Sequence, residues 1–225
     1  MQKTNIQCLG FIMDGNRRWA KELGLPTFEG HQKGAEVMRD SVRWVKEAGI
    51  PHVVYYAFST ENWKRSKEEV SWLMKLFSEM LEKQFKEKNI RIRIVGRRKD
   101  FDTDLQKQMN ELEKYSEKNE NIETTVWIAL SYGGRAEIIE ATNRAIRNGK
   151  EVTEETFAQL LWTADMPDPD IIVRTGGEKR LSNFMTWRSV YSELLFIDTY
   201  WPALTKVEFN GILKEYESRE RRGGK

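Results

Sequence analysis

The chain has 225 residues, of which 39% are apolar and 11% aromatic, with eight tryptophans and ten phenylalanines; this is ample for a packed core and excludes a disordered chain. Lys and Arg number 37 against 35 Asp and Glu, a net charge of +2, so the chain is no bulk polycation and nucleic acid is not an expected partner. One cysteine, Cys8, and two distant histidines exclude an intrachain disulfide and the usual zinc spacings, and no apolar run approaches the roughly 18 residues of a membrane span, which points to a cytoplasmic chain with peripheral membrane contact at most.

From the N-terminus, an apolar run at 8–13 predicts a first strand, and helical periodicity follows over 30–48. A β-branched and aromatic run at 52–58 predicts a second strand, then a helix over 67–88, a strand at 90–95 and a helix over 102–118. A strand at 124–130, helices over 134–148 and 154–162, strands at 170–174 and 194–197 and a helix over 205–220 complete the order. Such alternation predicts an α/β fold with a mainly parallel central sheet of about six strands covered by helices. No repeat, low-complexity tract or linker interrupts it, so residues 1–225 read as a single domain.

The polar motifs follow the strands. Met13 to Trp19 follows the first, Ser59 to Arg65 the second, Ser131 to Arg135 the fourth and Arg174 to Arg180 the fifth. In a parallel sheet these loops share the carboxyl edge, where open α/β sheets bind ligands, so one composite site is expected. Asp14, at a strand end before Gly15-Asn16 and two arginines, admits two readings: a carboxylate for Mg²⁺ beside a phosphate-binding helix start, or an N-cap. The 174–182 loop offers paired glycines, two arginines and a serine, which suits a phosphate better than a solvated turn. It matches neither the P-loop nor the dinucleotide-binding glycine pattern. His31 can donate to an anion or serve as a structural partner, and Ser59 has no histidine nearby in sequence to activate it as a nucleophile.

On the 67–88 helix, Val70, Leu73, Met74, Phe77, Leu81 and Phe85 form one apolar stripe, and Trp72, Leu76 and Met80 a second beside it. A surface helix needs an apolar face of only about 100°. A partner subunit or a hydrophobic ligand must cover the excess. With the phosphate motifs added, a diphosphate head at the sheet edge and an apolar tail between sheet and helix fit together.

Taken together, Ile12-Met13-Asp14-Gly15-Asn16, Gly30-His31, Tyr56 to Trp63, Tyr132-Gly133-Gly134-Arg135 and Asp168-Pro169-Asp170 leading into Arg174 to Glu178 resemble the cis-prenyltransferases, the family of undecaprenyl diphosphate synthase. The resemblance runs from Cys8 to Gly224. It implies a homodimer of an α/β fold with an apolar tunnel, which condenses isopentenyl diphosphate with an allylic diphosphate such as farnesyl diphosphate, using Mg²⁺, to make a cis-polyprenyl diphosphate. By motif match, Asp14 would assist the metal and the departure of diphosphate, while Gly15, Asn16, Arg17, Arg18, Trp19 and His31 would surround the donor. Arg174, Arg180 and Ser182 would hold isopentenyl diphosphate, with Glu193 reaching toward the metal. Ser59, Asn62, Trp63 and Arg65 would line the reacting centre, Asn62 and Ser59 being linked to proton removal.

Some positions depart from the pattern. Thr27 stands where the family commonly has an arginine, Arg17 where glycine is frequent and Ser66 where proline is common, and Arg221-Arg222-Gly223 lacks the usual phenylalanine. An alternative reading is a catalytically silent subunit of a heteromeric synthase, but such members lose the aspartate and the Arg-Thr-Gly-Gly motif, and Asp14 and Arg174 to Gly177 are both present. Between Leu76-Phe77 and the strand at Ile90 the chain is about three residues, or nearly one helical turn, shorter than the undecaprenyl-forming members it resembles, which points to a shorter product unless the missing turn lies at an exposed helix end.

Overall fold

A strand buried on both faces reads as an apolar run, and two segments of the chain carry such runs, at 8–12 and 126–130. In the computed structural model, which describes residues 4–83, 89–149 and 151–219, they lie in β1 (Cys8–Ile12) and β4 (Thr124–Tyr132), every residue of which is buried. β2 (His52–Ser59) lies between them, and β5 (Ile171–Arg174) flanks β1 on the other side. β3 (Ile90–Val95) and β6 (Glu193–Phe196) are the edges. Edge position explains the alternation in β3, where half-buried Arg91 and Arg93 are interleaved with buried isoleucines.

The six strands form one sheet in the order β3-β4-β2-β1-β5-β6, and every pairing is parallel. Among the described residues the helices are α1 (Asn16–Glu22), α2 (Thr27–Glu47), α3 (Lys67–Lys83), α4 (Thr103–Glu117), α5 (Gly134–Asn148), α6 (Glu154–Ala158) and α7 (Lys206–Ser218). Local chemistry sets several starts. Asp102 Oδ1 accepts the Leu105 amide at 2.8 Å to begin α4, and Thr205 with Glu208 forms a capping box at α7.

The expected strands and their order are found, with differences at helix boundaries. α1 is a separate helix, divided from α2 by a Gly24-Leu25-Pro26 turn, and α2 begins at Thr27 rather than 30. α6 stops at Ala158, short of 162. α3 is described to Lys83, so the remainder of the expected 67–88 helix, with Phe85, lies outside the described residues.

Alternate strand residues divide the core. Leu9, Phe11, Val53, Tyr55, Ile92 and Ile128 pack with Val42 of α2, Phe77 of α3, Met109 of α4 and Phe209 of α7 on one side. Cys8, Ile12, Val54, Trp127 and Ala129 face Phe184 and Met185 of the long β5–β6 connection on the other. From β1 the chain crosses toward β2, and from β5 it crosses the opposite way to β6. The crevice at the carboxyl ends of β1 and β5 is therefore the switch point of the topology, the place where such sheets bind ligands.

Candidate active site

Two loops meet at that crevice. Met13-Asp14-Gly15 leaves β1 while Arg174-Thr175 leaves β5, and they are laced together by backbone and hydroxyl. The Asp14 amide donates to Thr175 Oγ1 (3.0 Å), and the Thr175 hydroxyl donates to the Asp14 carbonyl (2.7 Å). The chain turns sharply at Gly15, whose φ of 102° is left-handed and whose missing side chain leaves room for the Tyr200 ring.

The lacing fixes the Asp14 carboxylate. Arg174 Nη2 donates to Oδ2 (2.7 Å), the Gly15 amide to Oδ1 (2.6 Å), and Arg18 Nη2 stands 3.3 Å from Oδ1. Partial burial pushes this carboxyl up. The hydrogen bond and charge of Arg174, the Gly15 amide and the charge of Arg18 outweigh it, so the group titrates below its ordinary range and is ionised at neutral pH. Gly15, not Asp14, is the N-cap of α1, and no side chain caps that helix, so the capping reading of Asp14 fails.

Arg174 is more deeply engaged than a free phosphate ligand would be. Its side chain is 5% exposed. Besides Asp14, Nη1 donates to the Arg180 carbonyl (2.6 Å) and to Ser182 Oγ (2.7 Å). Its Nε, like Asn16 Oδ1, is buried without a hydrogen-bond partner among the described residues. The Arg180 side chain is instead 59% exposed and pairs with Glu178, whose other oxygen lies 3.8 Å from Arg18 Nη1. Asp14, Arg18, Glu178 and Arg180 thus form an alternating chain of charges around the crevice.

Two cavities open from this point. One, of about 580 Å³, runs between the sheet and α2 and α3. Its mouth is polar, with Asp14, Asn16, His31, Ser59, Asn62, Arg65, Arg174 and Ser182. Its depth is apolar, walled by Leu73, Leu76, Phe77, Met80 and Leu81 of α3, Ala35 and Met38 of α2, and Ile128 and Leu130 of β4. Both stripes of α3 therefore contribute to one internal cavity. The other, of about 760 Å³, is a cationic recess with Gly15, Asn16, Arg17, Arg18, Lys21, Thr27, His31 and Arg65 on its walls. Asp14, Asn16, His31 and Arg65 line both.

The loop after β2 is a 3-10 turn over Thr60–Lys64 in which the Asn62 Oδ1 accepts the Ser59 amide at 3.0 Å. That bond occupies the Asn62 carbonyl oxygen and leaves the NH₂ of this cavity-lining residue as its donor. His31 Nε2 lies 3.3 Å from Glu69 Oε1, and Arg65 Nη1 donates to the same oxygen (3.0 Å). Burial first, and then the charge of Arg65, pushes the imidazole below its usual range despite Glu69. His31 is therefore neutral at pH 7 and acts as an oriented dipole rather than a cation.

Several expected residues stand elsewhere. Trp63 lines neither cavity; its Nε1 donates to Ser131 Oγ (2.8 Å), and its ring packs on Phe58 and Phe101. Trp19 and the side chain of Arg180 also line neither. Glu193 is not brought to Asp14 within this chain. It opens β6 opposite Ile171, whereas Asp14 lies beyond the Ile12–Arg174 pair, so three residues of strand, about 10 Å, separate it from the carboxyl edge. There it pairs with Arg219 at 3.0 Å. The Arg221-Arg222-Gly223 motif lies outside the described residues.

Sequence reasoning missed Glu69, Thr175 and Tyr56. Glu69 is four residues after Arg65 at the start of α3, a spacing that pairs opposite charges on a helix and so was readable. Tyr56 donates toward the Tyr132 and Ser182 carbonyls (3.2 and 3.3 Å), a contact over 126 residues that no local pattern carries. No group of three or more His, Cys, Asp or Glu side chains is assembled as a metal cage among the described residues, and none of their helices is long and apolar enough to cross a membrane.

The chain and its fold are similar to those of known proteins. Residues 12–224 match a protein family described as "Putative undecaprenyl diphosphate synthase". The chain is 46% identical to an isoprenyl transferase of Thermotoga maritima over 97% of its length and 96% of that protein, and 43% identical to one of Fusobacterium nucleatum over 100% and 98%. Among solved structures, lavandulyl diphosphate synthase from Lavandula x intermedia in complex with dimethylallyl diphosphate superposes with a TM-score of 0.92 at 29% identity, covering 98% of both chains. A "probable undecaprenyl diphosphate synthase" from Campylobacter jejuni gives 0.81 at 35% identity, covering 98% of this chain and 99% of that one.

Proposed function

The chain belongs to the undecaprenyl diphosphate synthase family of prenyltransferases, and from that premise we propose that it condenses isopentenyl diphosphate with an allylic diphosphate, building a cis-polyprenyl diphosphate in the apolar cavity. The observation that carries this reading is the ionised Asp14 where a cationic recess and an apolar cavity meet. An amphiphile with a diphosphate head fits that junction. A nucleotide or sugar phosphate has no use for five aliphatic and aromatic side chains of α3 behind its phosphate.

In this proposal the allylic diphosphate lies in the recess, against the Gly15 to Arg18 segment and Arg65, with its tail directed between α2 and α3. Charge-assisted bonds from Arg17, Arg18 and Arg65 fix the head. Thr27 offers a hydroxyl where a second fork would add charge, and Arg17 on the same recess compensates. Isopentenyl diphosphate occupies the mouth beside Ser182 and the exposed Arg180, which exchanges its Glu178 contact for phosphate. Arg174 sets the orientation of Asp14 and Ser182, a positioning role that replaces the direct phosphate role expected for it. Ser59 and Asn62 face the reacting carbons, and the Asn62 amide orients the group that loses its proton.

Mg²⁺ commonly takes one or two carboxylates plus substrate phosphates, and Asp14, held ionised at the border of both cavities, suits that mode. When bound it would neutralise charge developing on the departing diphosphate. Asp14 would hold it, and Arg18 would steady the same carboxylate from the other side. Glu193 could serve such a metal only from a second copy of the chain. A single domain over 1–225 and a homodimer complete the proposal. Incubation with farnesyl diphosphate, isopentenyl diphosphate and Mg²⁺, followed by chain-length analysis, should yield a cis-polyprenyl diphosphate, and a purified, folded chain that forms none would overturn the assignment.

A further inference from the structure

A third cavity, of about 440 Å³, lies away from the two just described, at the carboxyl end of edge strand β3. β3 ends at Val95, and Gly96, with φ 122°, turns the chain so tightly against β4 that a Cβ there would stand 2.0 Å from the Leu130 carbonyl oxygen. The turn delivers Arg97, Arg98 and Lys99 in succession to the cavity wall, opposite Glu140 and Arg144 of α5 and the half-buried indole of Trp162.

The charges there are unequal. Arg98 is neutralised by Glu113, whose Oε1 and Oε2 both accept from Nη2, at 2.7 and 2.6 Å. Glu140 is shared by Arg144 (3.7 Å) and Arg147 (3.5 Å). Arg97, half-buried, and Lys99, exposed, have no side-chain hydrogen bond or ion pair among the described residues. Two cations on one recess wall, neither with an acceptor among the described residues, are complementary to a dianion. An ordinary solvated basic turn would not border a recess with Ile94, Leu161 and an indole on its wall.

We infer that this recess is a second phosphate site, which takes the phosphate of a small soluble molecule on Arg97, Lys99 and Arg144 and its planar remainder against Trp162. The site is tied to the loop after β2. The Arg97 amide donates to the Ser131 carbonyl (3.2 Å), Asp100 Oδ2 accepts from Ser131 Oγ (2.5 Å), and Ser131 Oγ accepts from Trp63 Nε1 (2.8 Å). Occupancy therefore bears on the turn that carries Ser59 and Asn62. The inference rests on this recess and is independent of the substrates assigned to the first two cavities.

Calorimetric titration without metal tests it, with inorganic diphosphate and adenosine diphosphate as probes, on the wild-type chain and on an Arg97→Ser/Lys99→Ser variant. Both changes are at half-buried or exposed positions, so the fold, checked by circular dichroism, should persist; Arg144→Gln is the second variant. The wild type should bind one equivalent of adenosine diphosphate per chain more than either variant, with the lost site preferring it to inorganic diphosphate at least tenfold. Equal stoichiometry in wild type and variants overturns the site, and no preference overturns the stacking on Trp162. In initial-rate measurements adenosine diphosphate should change turnover at least twofold more in the wild type than in the variants; identical responses overturn the link to Trp63.

Discussion

At the scale of single residues, the site is organised by one ion pair. Asp14 Oδ2 and Arg174 Nη2 are 2.7 Å apart, yet the two residues are 160 positions apart in sequence, and only the parallel pairing of β1 with β5 brings them together. Asp14→Ala should lower turnover by about 10²–10³, the usual loss when a group supporting transition-state charge is removed, and should also lower stability, because it leaves the buried Arg174 guanidinium without its partner; near-normal turnover in the folded variant would remove Asp14 from the chemistry. Arg174→Ala should behave differently from a phosphate-contact variant. It strands the Asp14 carboxylate and frees Ser182, so folding stability should fall by about 1–3 kcal/mol, less than for a fully buried pair because the Asp14 side chain is 30% exposed. Arg180→Ala, at an exposed side chain, should raise the KM for isopentenyl diphosphate with stability unchanged. If the two variants show the same KM and stability pattern, the positioning role of Arg174 is wrong.

A carboxylate that is buried, Glu137, makes a pH prediction with the opposite sign. Glu137 accepts from the Tyr132 hydroxyl (2.5 Å) and from the Thr163 amide and hydroxyl (3.0 and 2.8 Å). Burial nevertheless dominates and raises its titration above the ordinary range. A group with a raised acid pKa binds its proton more tightly folded than unfolded. Its ionisation therefore costs stability as pH rises from the ordinary carboxyl range through the raised one. Asp14, held low, contributes stability above its ordinary range and loses it as pH falls through the depressed titration. Denaturant unfolding of wild type and Glu137→Gln across pH 4 to 8 should show the wild type losing stability relative to the variant as pH rises. A constant difference would mean that Glu137 does not titrate there.

At the scale of elements, what the sequence made legible was whatever local periodicity encodes. The apolar runs of β1 and β4 and the double stripe of α3 announced a buried sheet and a covered helix, and the loops carrying Asp14, Ser59 and Arg174 fell at strand ends. Orientation was not legible. Nothing near Arg174 in sequence shows that its guanidinium points back to Asp14 and Ser182, and nothing near Trp63 shows its indole bound to Ser131. Glu193 was different: a residue opening a parallel strand must lie at the amino edge, and the family pattern overrode that inference. α3 also carries a product-length prediction. Leu73, Leu76, Phe77, Met80 and Leu81 wall the cavity up to the last turn described, so length at the end of this helix is length of the cavity wall. Three residues inserted after Lys83 would add about one turn, roughly 5 Å. The native product should be somewhat shorter than undecaprenyl and should lengthen with the insertion. A native product of undecaprenyl length or longer, unaffected by the insertion, would place the short segment outside the cavity's control.

At the scale of the whole molecule, the proposed homodimer needs an apolar face for a second copy to cover, and the chain exposes one. α5 exposes Ile139 and Ile146, 60% and 72% accessible and two turns apart on one face, and the β5–β6 connection exposes Val190 and Tyr191. Large apolar side chains in such groups mark contacts with other proteins. Glu140 and Arg144 point about 100° or more away around the same helix, so an apolar contact through Ile139 and Ile146 leaves the third cavity open. Sedimentation of the wild type at micromolar concentration should give twice the single-chain mass, and Ile139→Asp/Ile146→Asp should shift it to one chain with its circular dichroism unchanged. A monomeric wild type would end the homodimer proposal. The monomeric variant then asks a sharper question. Because Asp14, Arg17, Arg18, Arg65 and the α3 wall all come from one chain, it should still bind an allylic diphosphate within about threefold of wild type. If that affinity collapses in a folded monomer, the head of the donor is held in part by the neighbouring subunit, and the recess of a single chain is only half of its site.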